Sequence, residues 1–166
     1  MLRAGGDGSW KSIVVYASRH GNTQRVAEAV ADGIRRYGSV ELIPIEKAST
    51  VFDGEADLVV IGGPTEAHGM TPAIRQFFDS LSGEAFKGVA AAAFDTRLDW
   101  PRWLSGSAGS GINDRLHKLG ADVVVPQASF IVEGKEPALK PGELERALSW
   151  GDALGRTVRS EVAAGV

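Results

Sequence analysis

From Ser12 to Ala17 the chain runs apolar without interruption and is β-branched in its middle. A strand of that kind has to be buried on both faces, whereas a strand with one wet face alternates. The same signature returns at Asp57–Ile61 (Asp-Leu-Val-Val-Ile) and at Val89–Phe94, where alanines leave room for a helix to approach closely. Helical periods lie between. From Thr23 onward Val26, Val30 and Ile34 recur every four residues, Gln24, Arg25, Glu28 and Arg35 face water, and Gly38 is the expected stop. Thr71-Pro72 reads as an N-cap followed by proline at the first helical position, and Ile74, Phe77, Phe78 and Leu81 make one apolar stripe behind it. A helix carrying Ile112, Leu116 and Leu119 closes at Gly120, and a last one runs from Glu143 to Val162 with Leu144, Ala147, Leu148, Leu154 and Val158 inward.

Two weaker extended stretches complete the pattern. Val40–Ile45 is interrupted by Pro44, which places it at a sheet edge. Asp122–Val132 is bent or bulged at Pro126, and Glu133–Pro141 is a polar connector. Five strands alternating with helices through short loops specify an α/β protein: an open parallel sheet with helices on both faces. Residues 12–166 read as a single domain after a flexible lead-in over residues 1–11.

Composition removes several classes of function. A net charge of −3 and a pI near 5.6 give no basic face for nucleic acid. There is no cysteine, so disulfides, thiol chemistry and iron–sulfur clusters are out. No apolar run reaches the roughly 18 residues a membrane helix needs, so no membrane insertion is expected. The N-terminal residues lack the apolar core of a signal peptide, and a cytoplasmic location is the expectation. His20, His68 and His117 have no metal-ligand spacing, and no metal site is expected. Neither a G-x-G-x-x-G fingerprint, a phosphate-binding G-x-x-x-x-G-K loop nor a G-x-S-x-G elbow is present. The aspartate that a phosphoacceptor receiver would need after the third strand is replaced by Ile61-Gly62.

In an open parallel sheet, ligands bind outside the carboxyl ends of the strands, where the strand order reverses. The loops at those ends are Ser18–Thr23, Gly62–Met70 and Asp95–Ser105, and they hold the Gly, Ser, Thr and His of the chain in unusual density. The first is an anion trap: backbone N–H groups converge, the helix dipole is positive, and Ser18 and Thr23 add hydroxyls.

Ser18-x-x-Gly21-x-Thr23, between a strand and a helix, resembles the phosphate loop of the short-chain flavodoxins, except that His20 stands where a hydroxyl is usual. Gly62-Gly63-Pro64-Thr65 is similar to the start of the second flavin loop of that family, and Asp95-Thr96-Arg97 falls where the third begins. The resemblance covers Ile13 to Val158. It implies a flavodoxin-like three-layer sandwich, a five-stranded parallel sheet in the order 2-1-3-4-5, and noncovalently bound FMN. It carries over to Ser18, Arg19, His20, Gly21, Asn22 and Thr23 for the phosphate. For the ring it carries over to Pro64, Thr65, Glu66, Ala67, His68 and Gly69, and to Asp95, Thr96, Arg97 and Trp103.

The function implied is electron transfer to a redox partner protein or a small-molecule acceptor, by a monomer or weak dimer. The alternative is an FMN oxidoreductase acting on a quinone or a porphyrinogen-type substrate, for which the long Asp95–Ser105 loop is the place to look. A binding module that has kept the fold without the flavin is the third reading. The second loop offers no aromatic wall for the ring beyond His68, so His68, Trp100 and Trp103 are the candidates to stack. Arg97 reads as a flavin contact or as the partner of Asp95 or Asp99. Because Glu66, Asp95 and Asp99 are offset by His68, Arg97 and Arg102, fully reduced flavin is expected to be less destabilised here than in a strongly acidic carrier.

Overall fold

The computed structural model describes residues 10–51 and 55–165. Strands are β1 (Lys11–Tyr16), β2 (Ser39–Pro44), β3 (Leu58–Pro64), β4 (Ala90–Leu98), β5 (Asp122–Val123), β6 (Ala128–Glu133) and β7 (Ala138–Leu139). Helices are α1 (Asn22–Ile34), α2 (Ile45–Val51), α3 (Pro72–Asp79), α4 (Arg102–Ser105), α5 (Ala108–Lys118) and α6 (Glu143–Ala163). The sheet order is β2-β1-β3-β4-β6-β7, with β5 also paired to β4. All pairs are parallel except β6 with β7.

Alternate residues of the apolar strands feed two separate cores. Ile13, Val15, Val59, Ile61, Ala91 and Ala93 face Ile74, Phe77 and Phe78 of α3 and Ile112 and Leu116 of α5. Val14, Val60, Ala90, Ala92 and Phe94 face Val26, Val30 and Ile34 of α1 and Ala147, Leu154 and Val158 of α6. This is the physical reason that the strands are apolar at every position: each large side chain, wherever it points, gains about 1.5–3 kcal/mol by leaving water. Helices α1 and α6 approach until their backbones touch, since a Cβ on Gly33 would collide with Leu148 and Asp152, and one on Gly151 with Val30.

The three-layer sandwich is as expected from the sequence, with differences at its margins. Among the described residues the strand segments number seven, not five. The expected fifth stretch is split: Ala91 pairs with Val123 and Phe94 with Ala128, so the outer strand takes five steps where β4 takes three and bulges out around Pro126. The polar connector folds back as β7, a short antiparallel edge. Strand β2 lies at the opposite edge, where Pro44 costs no ladder hydrogen bond. Helix α1 ends at Ile34 with Arg35 as its cap, not at Gly38, whose small size instead admits Trp10. Thr71 caps α3 as its sequence indicates, accepting from Ile74 N. The short helices α2 and α4 carry no pattern long enough to announce them. Of the expected lead-in, residues 1–9 lie outside the described residues, whereas Trp10 is buried and Lys11 begins β1.

Candidate functional site

Strand order reverses between β1 and β3, since the chain first winds outward to β2 and then returns past β1. A crevice opens there at the carboxyl ends of the strands. Its first wall is the turn into α1. Gly21 is the N-cap residue at φ 86°, a left-handed conformation that glycine adopts without penalty. The Ser18 hydroxyl accepts from Gly21 N (3.1 Å) and Gln24 N (3.3 Å), capping the helix from within the loop. A hydroxyl expected to donate to an anion therefore also serves as an acceptor that shapes the turn. Helix geometry leaves the N–H groups of Asn22 and Thr23 without intrahelical partners, at the positive end of a helix of 13 residues.

Thr23 is 2% exposed and its hydroxyl lies 2.8 Å from that of Thr96, which is also buried. The bond ties the first loop to β4. Asp95, Thr96 and Arg97, expected at the start of the third loop, are the end of β4 itself, paired with Gly63, Pro64 and, across the sheet, Ile131.

A cavity of about 220 Å³ runs from this point. Arg19, His20, Asn22 and Thr23 line one end; Pro64, Thr65 and Glu66 form one side; Thr96, Arg97 and Leu98 form the floor. Val132 and Pro137 close the outer side. Asn22 Nδ2 donates to Pro137 O at 2.6 Å, so the β6–β7 turn belongs to the site. Sequence reasoning did not name Leu98, Val132 or Pro137, and only the proline in a polar connector marks that segment as shaped.

A second cavity, also about 220 Å³, shares Thr65, Arg97 and Leu98 with the first and continues between Ala67 and His68 on one side and Trp100, Leu104 and Ser105 on the other. Ala67 (φ 45°) and His68 (φ 69°) are both left-handed, in a tight turn closed by Glu66 N to Gly69 O (3.0 Å) and Gly69 N to Glu66 O (2.9 Å). Two consecutive non-glycine residues in that region carry strain, which the surroundings hold in place. Thr65 N donates to Thr96 O, Glu66 pairs with Arg19 at 3.2 Å, and Gly106 packs so closely on the His68 backbone that any Cβ would collide with it.

Asp95 is fully buried and lines neither cavity. Its Oδ2 accepts from Ser107 Oγ (2.7 Å), Gly109 N (2.9 Å) and Thr65 Oγ1 (3.3 Å), and Thr65 Oγ1 accepts from Ala108 N (2.9 Å). The carboxylate lies beneath the site and braces the second loop against the start of α5. Arg97 pairs with neither Asp95 nor Asp99. Its Nη1 donates to Leu98 O (3.2 Å) and Trp100 O (2.8 Å), its Nε is buried without a protein acceptor, and Asp99 pairs with Lys140. Trp103 is 85% exposed on α4 and lines neither cavity, whereas Trp100 lines the second.

The two cavities form one trough with convergent N–H donors and an arginine at one end, a buried unpartnered guanidinium donor midway, and a half-apolar cleft at the other. That donor set suits a ligand with an anion at one end and a flat ring at the other, the outline of FMN. Among the described residues no group of His, Cys, Asp and Glu is arranged to hold a metal ion, and no helix is long and apolar enough to cross a membrane.

The flavodoxin family model matches residues 14–150. The chain is 27% identical over 88 residues to a flavodoxin of Clostridium saccharobutylicum, covering 52% of this chain and 55% of that one. It is 29% identical over 149 residues to a flavodoxin of Maridesulfovibrio salexigens, covering 87% and 96%. Relatives named NAD(P)H dehydrogenase (quinone) match over about half of this chain. The chain spans about half the length of the first curated relatives it matches. Among solved structures, a flavodoxin from the domain Archaea superposes with a TM-score of 0.74 at 24% identity over 90% of this chain and 99% of that one, a likeness of fold.

Proposed function

This chain belongs to the flavodoxin family, whose cofactor is FMN, and on that premise we propose that it is an electron carrier with FMN lying along the trough. Ser18, Arg19, His20, Gly21, Asn22 and Thr23 would hold the phosphate. Pro64, Thr65, Glu66, Ala67, His68 and Gly69 would border the ring on one side, with Thr96, Arg97 and Trp100 on the other and Asp95 bracing them from below. When bound, FMN supplies one- and two-electron redox chemistry. The protein binds it, orients the ring and sets the charge around it.

The observation that carries this is the Thr23–Thr96 bond, which holds the free amides at the start of α1 against the floor of the trough. Titration with FMN should quench its fluorescence with one-to-one stoichiometry, and riboflavin, which lacks the phosphate, should bind more weakly. A purified protein that leaves FMN fluorescence unquenched would overturn the proposal. Electron transfer through a partner, rather than direct catalysis, is tested by turnover: sustained oxidation of NAD(P)H by a quinone without a second protein would favour the oxidoreductase alternative. A cytoplasmic location and a monomeric or weakly dimeric state belong to the same proposal, tested by cell fractionation and sedimentation.

A further inference from the structure

Trp100, Trp103 and Leu104 are the exposed large apolar side chains among the described residues, and they fall within five consecutive positions. Trp103 is 85% exposed, Trp100 53% and Leu104 45%. Exposed tryptophan is costly to keep in water, and a cluster marks a surface that is covered when the protein works. Trp100 and Leu104 border the second cavity, but Trp103 lines neither cavity, so a small molecule held there does not account for it.

Charge on the same face is uneven. Two carboxylates next to the patch are taken up, Glu66 by Arg19 at 3.2 Å and Asp99 by Lys140 at 3.5 Å. Arg75, whose guanidinium lies beside Gly69, and Arg102 are both exposed and in no ion pair among the described residues. The β6–β7 turn carries Glu133 and Glu136 against Lys135, but it borders only the first cavity, through Pro137. A chain with net charge −3 thus turns a cationic rim and an apolar centre outward beside the ring cleft.

We propose that Trp100, Trp103 and Leu104, rimmed by Arg75 and Arg102, dock an electron-transfer protein whose own face is apolar at its centre and carboxylate-rich at its edge. The inference rests on the electron-carrier proposal above. Opposite charge at the rims steers encounter and sets orientation, and buried tryptophan at the centre holds the complex. A second copy of this chain fits poorly, since a twofold contact through this patch would set guanidiniums against guanidiniums. A lipid surface also fits poorly, because α4 is one turn of four residues and membrane affinity grows with the apolar area of a longer amphipathic face.

The test uses FMN-loaded protein, reduced with dithionite and mixed in a stopped-flow instrument with three acceptors: ferricyanide, an acidic plastocyanin and a basic mitochondrial cytochrome c. At low salt the plastocyanin rate should exceed the cytochrome rate and fall severalfold as ionic strength rises. Trp103→Ser should slow plastocyanin severalfold while leaving ferricyanide, which reaches the flavin without docking, unchanged. Arg102→Glu should slow plastocyanin and accelerate cytochrome c. A cytochrome rate that is the faster and the more salt-sensitive in the wild type would overturn the proposed polarity. Equal plastocyanin rates for Trp103→Ser and wild type would remove the patch from docking. Self-association by sedimentation, or binding to phosphatidylglycerol vesicles, that disappears in Trp103→Ser would replace the protein partner by a second copy or a membrane. Failure to bind FMN at all would appear before mixing and would sink the electron-carrier proposal instead.

Discussion

Thr23, in the first turn of α1, and Thr96, near the end of β4, share a buried hydrogen bond of 2.8 Å between hydroxyls 73 residues apart. It joins the turn that offers amides to an anion with the strand that floors the rest of the trough. Thr23→Val keeps the shape and removes the hydroxyl, leaving that of Thr96 buried without its partner, at a cost of about 1–3 kcal/mol. FMN affinity should fall roughly tenfold to a hundredfold, while riboflavin affinity, which does not involve the phosphate, changes far less. Isothermal titration with the two ligands separates the effects.

Gly106 combines a positive φ (71°) with an extended ψ (−171°), a conformation open essentially to glycine alone, and is pressed against the His68 backbone. Gly106→Ala adds about 1–3 kcal/mol of backbone strain, and the collision displaces the strained Glu66–Gly69 turn as well. A lower melting temperature together with weaker binding of both FMN and riboflavin is the expected result. Unchanged riboflavin affinity would detach this contact from the ring site.

Glu143 accepts from Ile131 N at 2.7 Å and from Arg146, and these bonds hold its carboxyl below the usual range, led by the Arg146 hydrogen bond and opposed by burial. A carboxylate with a lowered folded-state pKa stabilises the fold above its unfolded pKa, near 4.3, and loses that contribution as pH falls through the folded value. Glu143→Gln should therefore melt below the wild type at pH 7, with the gap closing in acid below about pH 4. A gap that is independent of pH would assign the loss to packing.

Asp57 behaves in the opposite sense. Burial raises its carboxyl, partly offset by the hydrogen bond it accepts from Lys11 N at 2.9 Å. A raised folded-state pKa means that stability is greatest at low pH and declines as pH rises through that value. Asp57→Asn keeps an acceptor for Lys11 and removes the buried charge, so at pH 7 it should melt at or above the wild-type temperature. The advantage should vanish in acid.

Arg19 is exposed, yet it holds Glu66 at 3.2 Å beside the proposed ring site. Arg19→Gln frees that carboxylate, and the reduced flavin, which gains negative charge, becomes harder to form. The potential of the second electron should move to a more negative value, modestly because solvent screens the pair, and Glu66→Gln in the same background should reverse it. No movement in either variant would remove this pair from the control of potential.

Much of this was legible along the chain. Uninterrupted apolar runs from Ser12 and from Asp57 specified strands buried on both faces, and the four-residue spacing of Val26, Val30 and Ile34 specified the helix behind the first loop. The first loop was legible too, because its chemistry is local: a glycine at positive φ, a serine three residues before it and a helix start lie within one stretch of sequence. The outer strand was harder. Its pairing with β4 is interrupted by a bulge and reset at Ala128, and β7 is two residues long, so neither leaves a period to read.

What the sequence by itself determined, then, is the layered α/β architecture and the glycine turn into α1 that is proposed to hold an anion, because both follow from interactions between residues near one another in the chain. Only the tertiary structure decided what surrounds that turn. The partnership of Thr23 with Thr96, the burial of Asp95 beneath the trough, the contribution of Pro137, and the exposure of Trp103 outside it all depend on which loops the strand order brings together. Such contacts are set by the closure of distant segments over a common sheet edge, and no local spacing encodes them.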